Sequence, residues 1–275
     1  FTQRGEPTIT DKYSRTEMAL KNGVDLVIEL PVIFATGDAG IFARGGVNLL
    51  NSLGVVDRIC FGTETGSISF LSELVTFFNN PPNEYLEKLD LLLKSGLNFP
   101  TARSTALKNY FKETDIDLIK GSNMILGIEY CQALKELNSN IIPLPIERKG
   151  ADYNDDELDF LGLSSASAIR KVLSECCNTI TDTMGISGLG YSSHYISLNS
   201  LKEHMPEASV EILVNSPLMF PEDFSSILHH KLIMQEDFSK YLDITESFSK
   251  RIIANRFSYS DYYSFCGLLK TKNIT

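Results

Sequence analysis

VVDRICFGTE, Val55–Glu64, decides the fold of this chain. Its first seven residues are rich in β-branched and apolar side chains, follow Gly54 and run into Gly62, so Val55–Phe61 is expected to be a buried strand. Working outward, helical spacing of apolar residues from Asp38 or Ala39 to Ser52 precedes it, with Gly54 as the terminator. Further upstream, Asp11–Asn22 is expected to be a helix capped by Thr10 or Asp11 and ended by Gly23, with VDLVIEL (Val24–Leu30) as a strand stopped by Pro31. Downstream, helices are expected over Ser67–Asn79, Asn83–Ser95, Thr101–Phe111 and Ser122–Leu137, then a third strand over Ile141–Ile146. Strands separated by long helical stretches cannot pair as hairpins. The expected fold class is therefore α/β, a Rossmann-like, doubly wound parallel sheet with helices on both faces.

After a helix over Ser165–Glu175 the composition turns rich in Gly, Ser and Thr, and beyond Leu201 the signal is helical, except for a weak strand signal at Val210–Val214. The expected organisation is a nucleotide-binding domain over 1–177, a linker over 178–200 and a mostly α-helical C-terminal domain over 201–275. GISGLG (Gly185–Gly190) neither follows a strand nor opens a helix, so it belongs to the linker rather than to a phosphate loop.

The 275 residues, 43% of them hydrophobic, suffice for two compact units, and no apolar run reaches the ~20 residues of a membrane-spanning helix. Five cysteines without C-x-x-C spacing argue against a disulfide framework or a zinc site and point to a reducing cytoplasm. Twenty-five Lys and Arg against 35 Asp and Glu leave a net charge of −10, so any contact with nucleic acid must be local. None of the four histidines falls in a metal-binding or catalytic spacing, and no serine lies in a nucleophile elbow. DYNDD, from Asp152, begins like a calcium loop, but Glu157 stands where glycine is required; no metal site is expected.

In parallel sheets ligands gather beyond the carboxyl ends of strands, where loops lead into helices. Gly62, directly after a strand, lets backbone approach a flat adenine or ribose, although a turn glycine needs no ligand. Asn123 at a helix head could bond a nucleotide or simply cap its helix, as could Ser122. Arg148, just past the third strand, could meet a polyphosphate or be solvated. Ser165, Ser167 and Arg170 set hydroxyls and a cation at a helix start, where free N–H groups and the helix dipole suit a phosphate; a plain capped helix explains the same residues. Near the C-terminus, Lys250, Arg251, Arg256, Lys270 and Lys272 face a single carboxylate, Asp261, among Phe257, Tyr259, Tyr262, Tyr263 and Phe265. These aromatics could stack bases while the cations bind phosphates, or they could be core.

Taken in order, FTQRGEP (Phe1–Pro7), DKYSRTEMAL (Asp11–Leu20), GVDLVIELP (Gly23–Pro31), FGTE (Phe61–Glu64), NMILGIEY (Asn123–Tyr130) and SASAIR (Ser165–Arg170) resemble the tRNA(Met) cytidine acetate ligase family of the nucleotidyltransferase superfamily. The resemblance implies a ligase that uses ATP, with Mg2+, to activate acetate as acetyl-adenylate. The acetyl group then passes to N4 of the wobble cytidine of elongator tRNA(Met). It carries Gly62, Asn123 and Arg148 over to ATP binding. It makes Ser165, Ser167 and Arg170 phosphate candidates with Lys12 and Arg15 beside them, and Lys250, Arg251, Arg256, Lys270 and Lys272 candidates for tRNA. It implies no membrane partner.

Two departures accompany the resemblance. The family's opening strand and H-x-G-H helix start do not occur here, so the chain is expected to begin past them, and Thr36-Gly-Asp-Ala-Gly40 stands where a segment closer to Q-S-A-E belongs. The competing readings are a nucleotidyltransferase that adenylylates a small cofactor precursor and a non-enzymatic RNA-binding protein.

Overall fold

A computed structural model describes residues 1–3, 5–97, 99–148, 164–174, 201–242 and 244–270. The acidic loop after Asp152, the GISGLG segment and the whole expected linker lie outside these residues. Contacts gather the described residues of Phe1–Gly5, Leu30–Arg148 and Lys270–Thr275 into one compact unit, and those of Glu6–Glu29 and Lys149–Leu269 into another.

In the first unit, helices α2 (Val32–Ala35) and α3 (Ala39–Ser52) precede strand β1 (Arg58–Thr63). Helix α1 (Lys12–Lys21) comes earlier in the chain but belongs to the second unit. Asp38 caps α3 by accepting the Ile41 N–H at 2.8 Å. Asp11 caps α1 by accepting from the Tyr13 and Ser14 N–H groups, and the hydrogen bonds from Ser14 hold its carboxyl below the usual range. Gly23 and Gly54 follow these helices at φ 95° and 69°, the left-handed conformation that ends a helix.

Five helices then cross from β1 to strand β2 (Ile142–Glu147): α4 (Ile68–Asn79), α5 (Asn83–Lys94), α6 (Phe99–Leu107), α7 (Glu113–Ile119) and α8 (Ser122–Glu136). The single helix expected over Thr101–Phe111 is thus α6 alone, and α7 is an additional element. The strands pair in parallel, from Arg58 opposite Ile142 to Thr63 opposite Glu147. One face of the pair lies on α8, where Gly127 has no side chain: a Cβ there would stand 3.0 Å from both Phe61 and Thr63. Leu71, Leu74, Leu107, Ile116, Ile119, Met124 and Ile128 form the core beneath the crossover helices. Each such buried aliphatic side chain contributes about 1.5–3 kcal/mol. Val47, Ile59, Ala133, Leu134 and Ile141 join α3, β1 and α8 in a second cluster.

Val24–Leu30 does not form a strand. Leu26 and Ile28 are 65% and 40% exposed, and the described sheet contains β1 and β2 alone. β-propensity expresses the fit of a side chain to a pleated surface beside a partner strand, and no described strand lies there.

In the second unit, Val210–Val214 is helical rather than extended, as part of Glu207–Val214, with Pro206 at its N-cap. Its Val210 and Leu213 pack with Leu173, Leu201, Ile9, Met18 and Ile169. The opening helix and the helix over 166–174 therefore share a core with Glu207–Val214. Asn22 Nδ2 donates to Ser209 Oγ at 2.9 Å across this contact. Helices Ser225–Met234, Glu246–Asn255 and Tyr262–Leu269 close around Leu232, Phe238, Ile252, Phe265 and Leu269. Among the described residues no helix is long and apolar enough to cross a membrane.

Candidate functional site

Parallel pairing brings the carboxyl ends of β1 and β2 to one edge of the sheet. Gly62 lies opposite Ile146 and Thr63 opposite Glu147, and the Arg148 N–H donates to the Thr63 carbonyl at 3.0 Å. The side chain of Arg148 then turns back over β1. A Cβ on Gly62 would meet its Cγ at 3.1 Å and its Cδ at 3.4 Å, so glycine leaves room for the arginine stem to lie flat on the strand. Arg148 Nη1 donates to Asn123 Oδ1 at 3.3 Å. Gly62, Asn123 and Arg148, picked separately from the sequence, thus form one corner.

A fourth residue organises it. Glu64 Oε1 accepts the backbone N–H of Asn123 at 3.1 Å and its Nδ2 at 3.2 Å. The N-cap residue of α8 is Gly121, which has no side chain to offer, and neither Ser122 nor Asn123 plays the expected capping role. The carboxylate instead arrives from the loop after β1, and negative charge at this helix end is favourable. A Cβ on Gly121 would collide with the Glu64 carboxyl group, so glycine makes the approach possible. FGTE places Glu64 directly after a strand, but nothing local in the sequence announces a partner 59 positions away.

Further along α8, Glu129 has its Oε2 near the start of α3, 3.1 Å from where a Gly40 Cβ would stand. Burial raises its carboxyl above the usual range and Asp38 adds to this, while Arg44 and Arg103 oppose it. Arg103 is itself desolvated, which lowers its guanidinium, and it lies 4.4 Å over the Phe78 ring. Burial pushes the Cys131 thiol up to about 12.

The second unit carries the other described candidates except Lys270, which belongs to the first. Ser165 accepts the Ala168 N–H at 3.0 Å and is the cap of its helix, while Arg170 Nη2 donates to Ser167 Oγ at 3.2 Å. Lys12 pairs with Glu29 at 2.8 Å, and Arg15 is exposed. Of the basic, aromatic segment, Phe265 is core and Tyr259 packs on it, whereas Phe257 and Tyr263 are 67% and 51% exposed. Arg251 Nη2 donates to the Leu268 carbonyl at 2.9 Å, Arg256 lies over Phe257, and Lys250 and Lys270 are exposed. Buried and exposed positions thus fall to different aromatics of one segment. Lys272 lies outside the described residues. Among the described residues no group of three or more His, Cys, Asp or Glu is gathered to hold a metal ion.

A model of the HIGH nucleotidyl transferase family matches residues 1–275. The chain belongs to that family. It is 37% identical over 279 residues to the tRNA(Met) cytidine acetate ligase of Clostridium novyi (strain NT), a match covering 99% of the chain and 65% of that protein. It is 38% identical over 289 residues to the tRNA(Met) cytidine acetate ligase of Kosmotoga olearia, covering all of the chain and 62% of that protein. Thermotoga maritima TmcAL bound with alpha-thio ATP is a structural neighbour with a TM-score of 0.81 at 33% identity, covering all of this chain and 62% of that one. The apo form of the same protein gives 0.83 at 34% identity, covering 63% of it. The chain thus spans less than two thirds of the length of these relatives.

Proposed function

We propose that this chain carries the nucleotide site of a cytoplasmic, ATP-dependent ligase that activates acetate and acetylates N4 of the wobble cytidine of elongator tRNA(Met). The observation that carries the reading is the convergence of Gly62, Asn123 and Arg148, in a chain 33% identical to a protein crystallised with alpha-thio ATP. In this reading Gly62 serves the nucleotide by letting the Arg148 stem cross β1, Asn123 bonds the polar edge of the nucleoside and Arg148 faces its phosphates. In the second unit, taken by itself, Ser167 and Arg170, with Lys12 and Arg15, are phosphate candidates, while Ser165 acts through its helix cap.

An acetate oxygen attacks the α-phosphorus, and the bond to the bridging oxygen breaks so that pyrophosphate leaves with its electron pair. The cytidine N4 then attacks the acetyl carbonyl, AMP departs and the nitrogen loses a proton. Both steps demand positive groups and N–H donors around developing charge more than a protein nucleophile. Mg2+ would accompany the ATP phosphates and offset part of their charge. Lys250, Arg251, Arg256, Lys270 and Lys272 would contact tRNA phosphates, with the exposed Phe257 and Tyr263 as stacking surfaces.

Pyrophosphate release from ATP, measured separately with acetate and with nicotinamide mononucleotide, tests this. Acetate-dependent release supports the ligase. Release with the mononucleotide alone would point to a cofactor adenylyltransferase instead.

A further inference from the structure

Resting on the nucleotide reading above, we infer that Glu64 is a positioning residue of the ATP site, fixing the orientation of the Asn123 carboxamide so that its oxygen is presented to Arg148. A carboxylate only accepts hydrogen bonds. With Glu64 Oε1 accepting from Nδ2 at 3.2 Å, the amide must turn its nitrogen toward Glu64 and its Oδ1 toward Arg148 Nη1, 3.3 Å away. A flipped amide would set oxygen against carboxylate and NH2 against guanidinium, two repulsive contacts in place of two attractive ones. The backbone bond from Asn123 N to the same Oε1 pins the carboxylate to the first turn of α8, so the chain from Glu64 through Asn123 to Arg148 is held at both ends.

Two further observations set Glu64 apart from an ordinary helix cap. Its second oxygen, Oε2, is buried without a hydrogen-bond partner among the described residues, a cost that a neutral cap such as serine would not carry. Gly121, the residue it packs against, leaves the space the carboxyl group fills. The carboxylate thus serves the start of α8, which a hydroxyl could also cap, and in addition the Arg148 arm, which it reaches through Asn123.

Glu64→Gln separates the two roles. The glutamine oxygen still accepts the Asn123 N–H and keeps the cap, but without a negative charge it accepts from Asn123 Nδ2 more weakly, so the amide is held less firmly in its orientation. The experiment is an equilibrium ATP titration of the whole chain and its variants, with Tm measured alongside. Glu64→Gln is expected to weaken ATP binding about tenfold, about 1.4 kcal/mol, with Tm close to wild type. In an Asn123→Ala background, Glu64→Gln is expected to add nothing, because the amide it orients is gone. Gly121→Ala, which keeps the carboxylate but displaces it, is expected to weaken ATP binding as well. Unchanged ATP affinity in Glu64→Gln, or a full additional loss in the double variant, overturns the inference while leaving the ATP site standing. Absence of saturable ATP binding by the wild-type chain overturns the nucleotide reading and this inference with it.

Discussion

Arg148 reaches Asn123 by passing over Gly62: its Nη1 lies 3.3 Å from Asn123 Oδ1, and its Cγ lies 3.1 Å from where a Gly62 Cβ would stand. The cation's position therefore depends on a missing side chain in β1. Gly62→Ala should leave the strand intact, since alanine in an extended segment reduces the freedom of the unfolded chain. It should push the Arg148 stem off β1 and weaken ATP binding several-fold, with Tm unchanged or slightly raised. Isothermal titration with thermal unfolding of the same sample checks this; a fall in Tm with ATP affinity intact would place the glycine's role in the fold alone.

A pH effect on stability should trace to Glu129. Burial raises its carboxyl above the ordinary value of 4.5. Above 4.5 the folded state thus holds more protons than the unfolded one, so stability falls as pH rises through the window between the two values and is fully present below it. Glu129→Gln removes that fall. The variant should melt higher than wild type at neutral pH, and the difference should close below about pH 4.5. A gap that stays constant across the range would assign the effect to packing.

The cysteines should differ in reactivity. Cys60 is exposed on β1, whereas the Cys131 thiol is pushed up to about 12 by burial on α8. The thiolate is the reactive species. Maleimide labelling of the native chain, mapped by mass spectrometry, should modify Cys60 promptly and Cys131 only under denaturing conditions. Equal rates would mean that α8 does not shelter its thiol.

Much of the local structure is written in short-range chemistry. Asp11, Asp38 and Ser67 cap helices as their positions beside apolar repeats suggest, and the strand expected over Val55–Phe61 exists but is displaced to Arg58–Thr63, taking in Gly62, and pairs in parallel with the one before Arg148. Gly62, Asn123 and Arg148 were findable because each stands where a strand ends or a helix begins. Val24–Leu30 and Val210–Val214 were misleading for a common reason: β-branched residues suit a strand only beside a partner, and Val210 and Leu213 instead bury one face of a helix against Leu173 and Leu201. Glu64 was illegible because its role is a contact with α8 across the whole crossover, and no periodicity or capping rule reaches that far.

ATP binding at the corner of Gly62, Asn123 and Arg148 is tested by an equilibrium ATP titration of the wild-type chain against Arg148→Ala. A hydrogen bond to a charged group contributes about 1.5–3 kcal/mol, so saturable wild-type binding should weaken by about 10- to 100-fold in the variant, at an unchanged Tm. Equal affinity in the two proteins would contradict the account.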